Sequence, residues 1–121
     1  LKSSLVDLCL AAIKNDLDSY EIEWADKHSC GVVIASEGYP ESYESNKEIT
    51  LPEHEEAETK LFHAGTKLVD GRVLTSGGRV FCATALGDSL KEAQSKAYNL
   101  VDKVSFGGAF CRRDIGFKGI K

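Results

Sequence analysis

The 121-residue chain is 42% hydrophobic and 28% charged, with 19 acidic against 15 basic side chains, which specifies a globular domain and excludes a disordered or collagen-like segment. At this length about two thirds of the unfolded surface can be buried, enough for one core and too little for two full domains. The formal net charge of -4 excludes a global attraction for nucleic acid or an anionic membrane, and no apolar run nears the ~20 residues of a membrane helix. Any basic site therefore has to be local.

Leu5, Leu8, Cys9, Ala12 and Ile13 recur at helical spacing and predict an amphipathic helix over about the first fourteen residues, N-capped by Ser3 or Ser4. The chain holds no Met, even at position 1, and no secretory leader precedes Leu1, so a fragment of a longer polypeptide is expected. Ile22 and Trp24 alternate with Glu21, Glu23 and Asp26 as in a half-buried strand, and Cys30 to Ala35 reads as a more central one. From Gly38 to Glu58 the composition turns polar, with Pro40, Pro52 and the acidic run Glu53 to Glu56. An excursion of about twenty residues should interrupt the sheet there.

Strand character resumes at Leu61 to Ala64. Lys67 to Val69, Asp70-Gly71 and Arg72 to Thr75 then give a hairpin signal, because Asp-Gly supplies the positive φ angles of a two-residue turn. Arg79 to Leu86 is a further strand after the break at Ser76-Gly77-Gly78. Ser89 and Glu92 form an S-x-x-E capping box, and Leu90, Ala93, Ala97, Leu100, Val101 and Val104 keep helical spacing, so a helix over residues 89 to 104 should pack one stripe on the sheet. Cys9, Cys30, Cys82 and Cys111 are far apart, form no C-x-x-C pair and have apolar neighbours. They read as reduced core thiols in a reducing cytoplasm; the even count also allows disulfides, although a bridged secreted scaffold normally has a higher cysteine density. The fold class is thus α+β with a mainly antiparallel sheet.

For chemistry, Lys67, Ser76-Gly77-Gly78-Arg79 and Arg112-Arg113-Asp114 stand out. Consecutive glycines let backbone N–H groups converge on an anion, and an arginine offers a fork of donors for phosphate or carboxylate. The same spacing fits a glycine turn with a solvated arginine, and Arg113-Asp114 also fits a structural ion pair. His63, at a strand end before Ala64-Gly65-Thr66, is placed either to touch a ligand or to serve as a hydrogen-bonded structural histidine. His28, His54 and His63 lack metal-ligand spacing, and His54 among Glu53, Glu55 and Glu56 reads as a solvated acidic loop, so no metal is expected. Cys82 and Cys111 have no evident general base, and no catalytic residue is assigned within the chain. Tyr39 and Tyr43 suit either a recognition surface or a clamp on their own loop.

The ordered set Gly38-Tyr39-Pro40, Phe62 to Lys67, Thr75 to Val80, Thr84-Ala85-Leu86-Gly87 and Arg112 to Gly116 closely resembles the C-terminal part of the glycinamide ribonucleotide synthetase family, also called phosphoribosylamine-glycine ligases. The likeness spans nearly the whole chain. Residues 1–18 resemble the end of that family's ATP-grasp region, and residues 19–121 its C-terminal domain, which implies a barrel-like single-hybrid motif. It further implies a part of an ATP-dependent ligase of purine biosynthesis, in which glycine is activated as an acyl phosphate and attacked by the amine of 5-phosphoribosylamine. ATP and Mg2+ would be held upstream of this chain, which would present Arg79 to the sugar phosphate. Lys67, Ser76, Gly77 and Gly78 would support it, with His63, Arg112, Arg113 and Asp114 as further candidates. The implied partners are those small molecules and the upstream domains, with no nucleic acid or membrane. Two positions depart from the family pattern: Glu41 stands where a glycine is common, and Ser45-Asn46 where a lysine-glycine is frequent. The alternative is a non-catalytic ligand- or protein-interaction module of the same fold, which would leave Arg79 directed away from any cleft.

Overall fold

The computed structural model describes residues 1–54 and 56–120. In chain order the elements are α1 (Leu5–Ile13), a 3-10 turn (Leu17–Ser19), β1 (His28–Ser36), β2 (Thr59–His63), β3 (Thr66–Val69), β4 (Arg72–Thr75), β5 (Arg79–Gly87), α2 (Leu90–Val101), β6 (Ala109–Phe110) and a second 3-10 turn (Phe117–Gly119). Strands pair antiparallel in the order β2-β5-β1-β6, and β3 and β4 form a separate hairpin. This is the expected α+β class with mainly antiparallel sheets. The two sheets do not close into a barrel.

The long strands β1 and β5 form the spine because their alternate residues are apolar and small or β-branched. Val32, Ile34, Phe81 and Ala83 on one face are buried against Ala93, Ala97, Leu100 and Val101 of α2. Alanines at two of those helix positions keep α2 close to the strands, so a helix of twelve residues suffices to seal the core. Its N-terminus follows from sequence: the Ser89 hydroxyl accepts from the Glu92 N–H, and the Glu92 carboxylate accepts in turn from the Asp88 N–H. The helix ends at Val101, three residues before the expected stop at 104. Val104 is buried nonetheless, because the turn after the helix folds it back under the sheet.

The register of β1 and β5 slips once. Ile34 faces Phe81 but Ala35 faces Arg79, so β5 holds one extra residue, Val80, in a β-bulge. Both Val80 and Phe81 are fully buried, and Arg79 emerges on the opposite, outer side.

Three expectations are corrected. Residues 21 to 26 form no strand: the Glu23 carbonyl accepts from the Lys2 and Ser3 N–H groups, but no ladder extends from that contact among the described residues, and Trp24 is 69% exposed. The first helix covers Leu5–Ile13 rather than the first fourteen residues, with Ser4 as its cap. Its apolar face buries none of its residues, and Ile13 is 81% exposed. Cys9 lies on that face and is exposed, so it is not a core thiol, whereas Cys30 is buried and Cys82 and Cys111 half-buried, all four being free. Burial pushes the Cys30 thiol up from its ordinary value. No helix among the described residues is long and apolar enough to cross a membrane.

The polar excursion from Gly38 to Glu58 is tied back along its length to the hairpin, the sheet and the turn after α2. Thr75 exchanges backbone hydrogen bonds with residues 46 and 47, its hydroxyl accepts from the Lys47 N–H, and Thr50 bridges to Ser105. At the far end of the sheet a charge network joins four segments: Lys27 reaches Asp88 at 2.6 Å and Glu58 at 3.4 Å, and Lys96 reaches Glu58 at 3.0 Å and Glu92 at 3.1 Å. The two ammonium groups hold Glu58 below its ordinary carboxylate value, Lys96 foremost, and Lys27 does the same for Asp88. Lowered acid values make these groups stabilising above the ordinary carboxylate range. That contribution is lost as pH falls through the lowered values. Melting temperature should therefore drop on acidification from pH 6 to 3, by less in high salt because the pairs are exposed. Glu58→Gln should lower it at pH 6 and flatten the acid limb, and an acid limb unchanged by that substitution would remove the network from this role.

Candidate functional site

The outer side of the sheet carries the candidate site. Arg79 opens β5 there, beside Val33 and Cys82, and it lines a cleft of about 530 Å3 with Tyr39, Tyr43, Ala64, Gly65, Gly78 and Phe81. The arginine is exposed and has no ion pair or hydrogen-bonded carboxylate among the described residues. A guanidinium fork with its donors unspent, at the mouth of a cleft with apolar walls, suits a phosphate or carboxylate.

Two loops meet beneath it. The Gly65 carbonyl accepts from both the Ser76 and Gly77 N–H groups, at 2.8 and 3.2 Å, and the Val80 carbonyl accepts from Ala64 and Gly65. Two of the amides expected to converge on an anion, those of Ser76 and Gly77, thus converge on a carbonyl oxygen in this conformation, which fixes the loop that leads into Arg79. His63, at the end of β2, lies within hydrogen-bond distance of the Thr66 hydroxyl through Nδ1 at 2.9 Å, and its ring meets the edge of Phe81 with centroids 5.0 Å apart. Lys67 is exposed on β3, opposite Leu74. The structure thus brings the His63 loop and residues 76 to 79 together, and places Lys67 on the adjoining hairpin.

Arg112, Arg113 and Asp114 lie elsewhere and line no part of this cleft. Arg112 clasps Asp114 with two hydrogen bonds of 3.1 and 2.7 Å, which holds that carboxyl below its ordinary value. Arg113 bonds Asp102 at 2.9 Å and lies over the Tyr98 ring. The Tyr98 hydroxyl donates to the Arg112 carbonyl and accepts from the Ile115 N–H. This segment is therefore fastened to the C-terminal end of α2, with both arginines already paired.

Sequence reasoning assigned no part in the site to Ser36. It is buried, its N–H donates to the Gly78 carbonyl at 2.7 Å, and its hydroxyl donates to the Gly77 carbonyl at 3.3 Å. A serine closing a long apolar strand is the only signal of it in the sequence. Among the described residues no three His, Cys, Asp or Glu side chains are grouped as a metal ion would need. Glu55, from the acidic run around His54, lies outside the described residues.

Comparison with known proteins agrees with the resemblance. Residues 29–118 match the model of the family described as phosphoribosylglycinamide synthetase, C domain. The chain is 55% identical to the phosphoribosylamine-glycine ligase of Salmonella typhimurium, over 100% of this chain and 29% of that protein. It is 50% identical to the ligase of Vibrio cholerae, over 99% and 28%. A crystal structure of the phosphoribosylamine-glycine ligase of Thermotoga maritima superposes with a TM-score of 0.72 at 37% identity, covering 88% of this chain and 27% of that one. The chain spans less than a third of the length of these relatives. With the family model covering three quarters of its residues, the chain belongs to the phosphoribosylglycinamide synthetase C-domain family.

Proposed function

We propose that this chain is the C-terminal portion of a cytoplasmic ATP-dependent ligase that joins glycine to 5-phosphoribosylamine through a glycyl phosphate, forming glycinamide ribonucleotide in purine biosynthesis. Residues 19–121 form the C-terminal domain of that enzyme, and residues 1–18 end its ATP-grasp region. ATP and Mg2+ are held by the upstream part of the polypeptide, which also covers the unburied apolar face of α1. The observation that carries the reading is Arg79, unpaired among the described residues and lining a cleft, where a non-catalytic module would turn it away.

In this reading the domain contributes by binding and orienting one substrate. Arg79 receives the sugar phosphate, with Lys67 as a second, mobile charge, and the Ser76-Gly77-Gly78 loop holds the arginine in place. His63 borders the same junction. Closing this surface over the bound phosphoribosylamine keeps its amine beside the activated glycine and keeps water from the acyl phosphate, so the gain is proximity and a preorganised field. The paired Arg112, Arg113 and Asp114 serve better as the fastening of the tail, and they remain secondary candidates for substrate contact.

The test is steady-state kinetics of the full-length enzyme. Arg79→Ala should raise the KM for phosphoribosylamine about 10- to 100-fold, the loss of one charged hydrogen-bonding partner, with glycine and ATP dependence near wild type. The purified 121-residue chain should show no turnover. Unchanged phosphoribosylamine dependence in a folded variant, or turnover by the isolated chain, would overturn the assignment.

A further inference from the structure

We propose that Tyr39 is a positioning residue for Arg79, its ring setting the course of the glycine loop from which the arginine emerges. The inference rests on Arg79 being the phosphate ligand. The Tyr39 ring lies against Gly78 by its Cδ2 side: a methyl group built on Gly78 would sit 2.7 Å from Cε2 and nearer still to Cδ2. Real Cβ atoms do not approach a ring that closely, so only glycine fits beneath it. Gly78 is buried by this contact and is the residue immediately before the arginine.

The ring does not act alone. The Tyr39 N–H donates to the Ser36 carbonyl at 3.0 Å, while Ser36 grips the Gly77 and Gly78 carbonyls from the other side. Residues 36 to 39 thus hold the peptides before Arg79 from two directions, by hydrogen bonds at the carbonyls and by the ring against Gly78. Two adjacent glycines have wide backbone freedom unless something outside them restricts it. The ring supplies that restriction, and without it the arginine would sample positions that miss the phosphate. The Tyr39 hydroxyl makes no hydrogen bond among the described residues, so the ring rather than the hydroxyl carries the role. Tyr43, its centroid 6.2 Å away in a tilted arrangement, backs the ring from within the same loop.

The experiment compares Tyr39→Phe, Tyr39→Ala, Gly78→Ala, the Tyr39→Ala/Gly78→Ala double variant and Arg79→Ala in the full-length enzyme. Tyr39→Ala should raise the phosphoribosylamine KM about 5- to 30-fold, as a displaced binding group does, with the glycine and ATP KM values unmoved. The conservative Tyr39→Phe should bring it back to within about 2-fold of wild type. Gly78→Ala should raise the same KM, and should add far less in the Tyr39→Ala background, where the ring it strikes is gone.

An unaltered phosphoribosylamine KM in Tyr39→Ala, alongside a raised one in Arg79→Ala, would overturn this role and leave the phosphate site standing. A silent Arg79→Ala would remove both. If Tyr39→Phe were as damaging as Tyr39→Ala, the hydroxyl would be contacting substrate and the positioning role would be wrong. Should Tyr39→Ala not fold, Gly78→Ala decides: a normal phosphoribosylamine KM overturns the inference, and a selective rise supports it.

Discussion

Phe81→Ala is expected to cost about 3–5 kcal/mol of unfolding free energy, the range for emptying an aromatic site in a closed core. Phe81 has no exposed surface and sits on the central strand β5, facing Ile34 across β1 and His63 across β2. Its removal opens a void between two strands that are locked in register, so the walls have little freedom to collapse inward. A single domain of this size has about 5–15 kcal/mol in total, so the variant should be largely unfolded well below the wild-type melting temperature. The neighbouring Phe62 gives the contrast. It points to the outer face and is 52% exposed, and Phe62→Ala should cost less than about 1 kcal/mol in the isolated chain. Urea unfolding of both variants reads the difference directly, and equal midpoints would mean that the two faces are not assigned as described.

Gly65→Ala should be the more damaging of the loop substitutions, acting on stability and on the site together. A methyl group there would lie 2.6 Å from the Arg79 carbonyl oxygen and 2.8 and 2.9 Å from the Gly77 Cα and N. All three are backbone atoms, so no side-chain rotation relieves the collision and the 76 to 79 loop has to move. We expect about 1–3 kcal/mol or more of destabilisation, together with a rise in phosphoribosylamine KM comparable to that of Arg79→Ala. Gly71→Ala is the matched control. It has a positive φ of 77° but nothing within 4 Å of an added Cβ, and its cost should be limited to the ~1–2 kcal/mol of a left-handed residue. Equal effects of the two substitutions on substrate dependence would show that the two loops are not coupled.

What the sequence revealed follows the range of the interaction concerned. The β3-β4 hairpin was legible because its turn is a dipeptide property: Asp70 and Gly71 both adopt positive φ, as Asp-Gly allows. The capping of α2 by Ser89 was legible for the same reason, being settled within four residues. The supposed strand at residues 21 to 26 failed because alternation shows only that one side could be buried, and no strand among the described residues comes to bury it. The exposed face of α1 carries the same lesson, with apolar spacing intact and its cover not among these residues. The glycine-arginine loop was found as a motif, but the ring of Tyr39 upon Gly78 joins residues 39 positions apart, and no local pattern announces such a pair. Arg112-Arg113-Asp114 read equally well as a ligand cluster and as ion pairs, since the partner of Arg113 is Asp102 on α2, a neighbour only after folding.

The extra residue at Val80 also sets which way the strand turns its arginine. Side chains along a strand alternate, so the count of residues between Phe81 and Arg79 decides whether the arginine meets solvent or core. Without the bulge, Arg79 would fall on the side of Phe81, and an uncompensated guanidinium would be driven against the helix. Deleting Val80 would join Arg79 directly to Phe81 in an unbroken ladder, with Arg79 still opposite Ala35 and still outside, so the deletion removes a buried side chain without reversing the strand. With Val80 present, the bulge is what keeps the arginine in solvent.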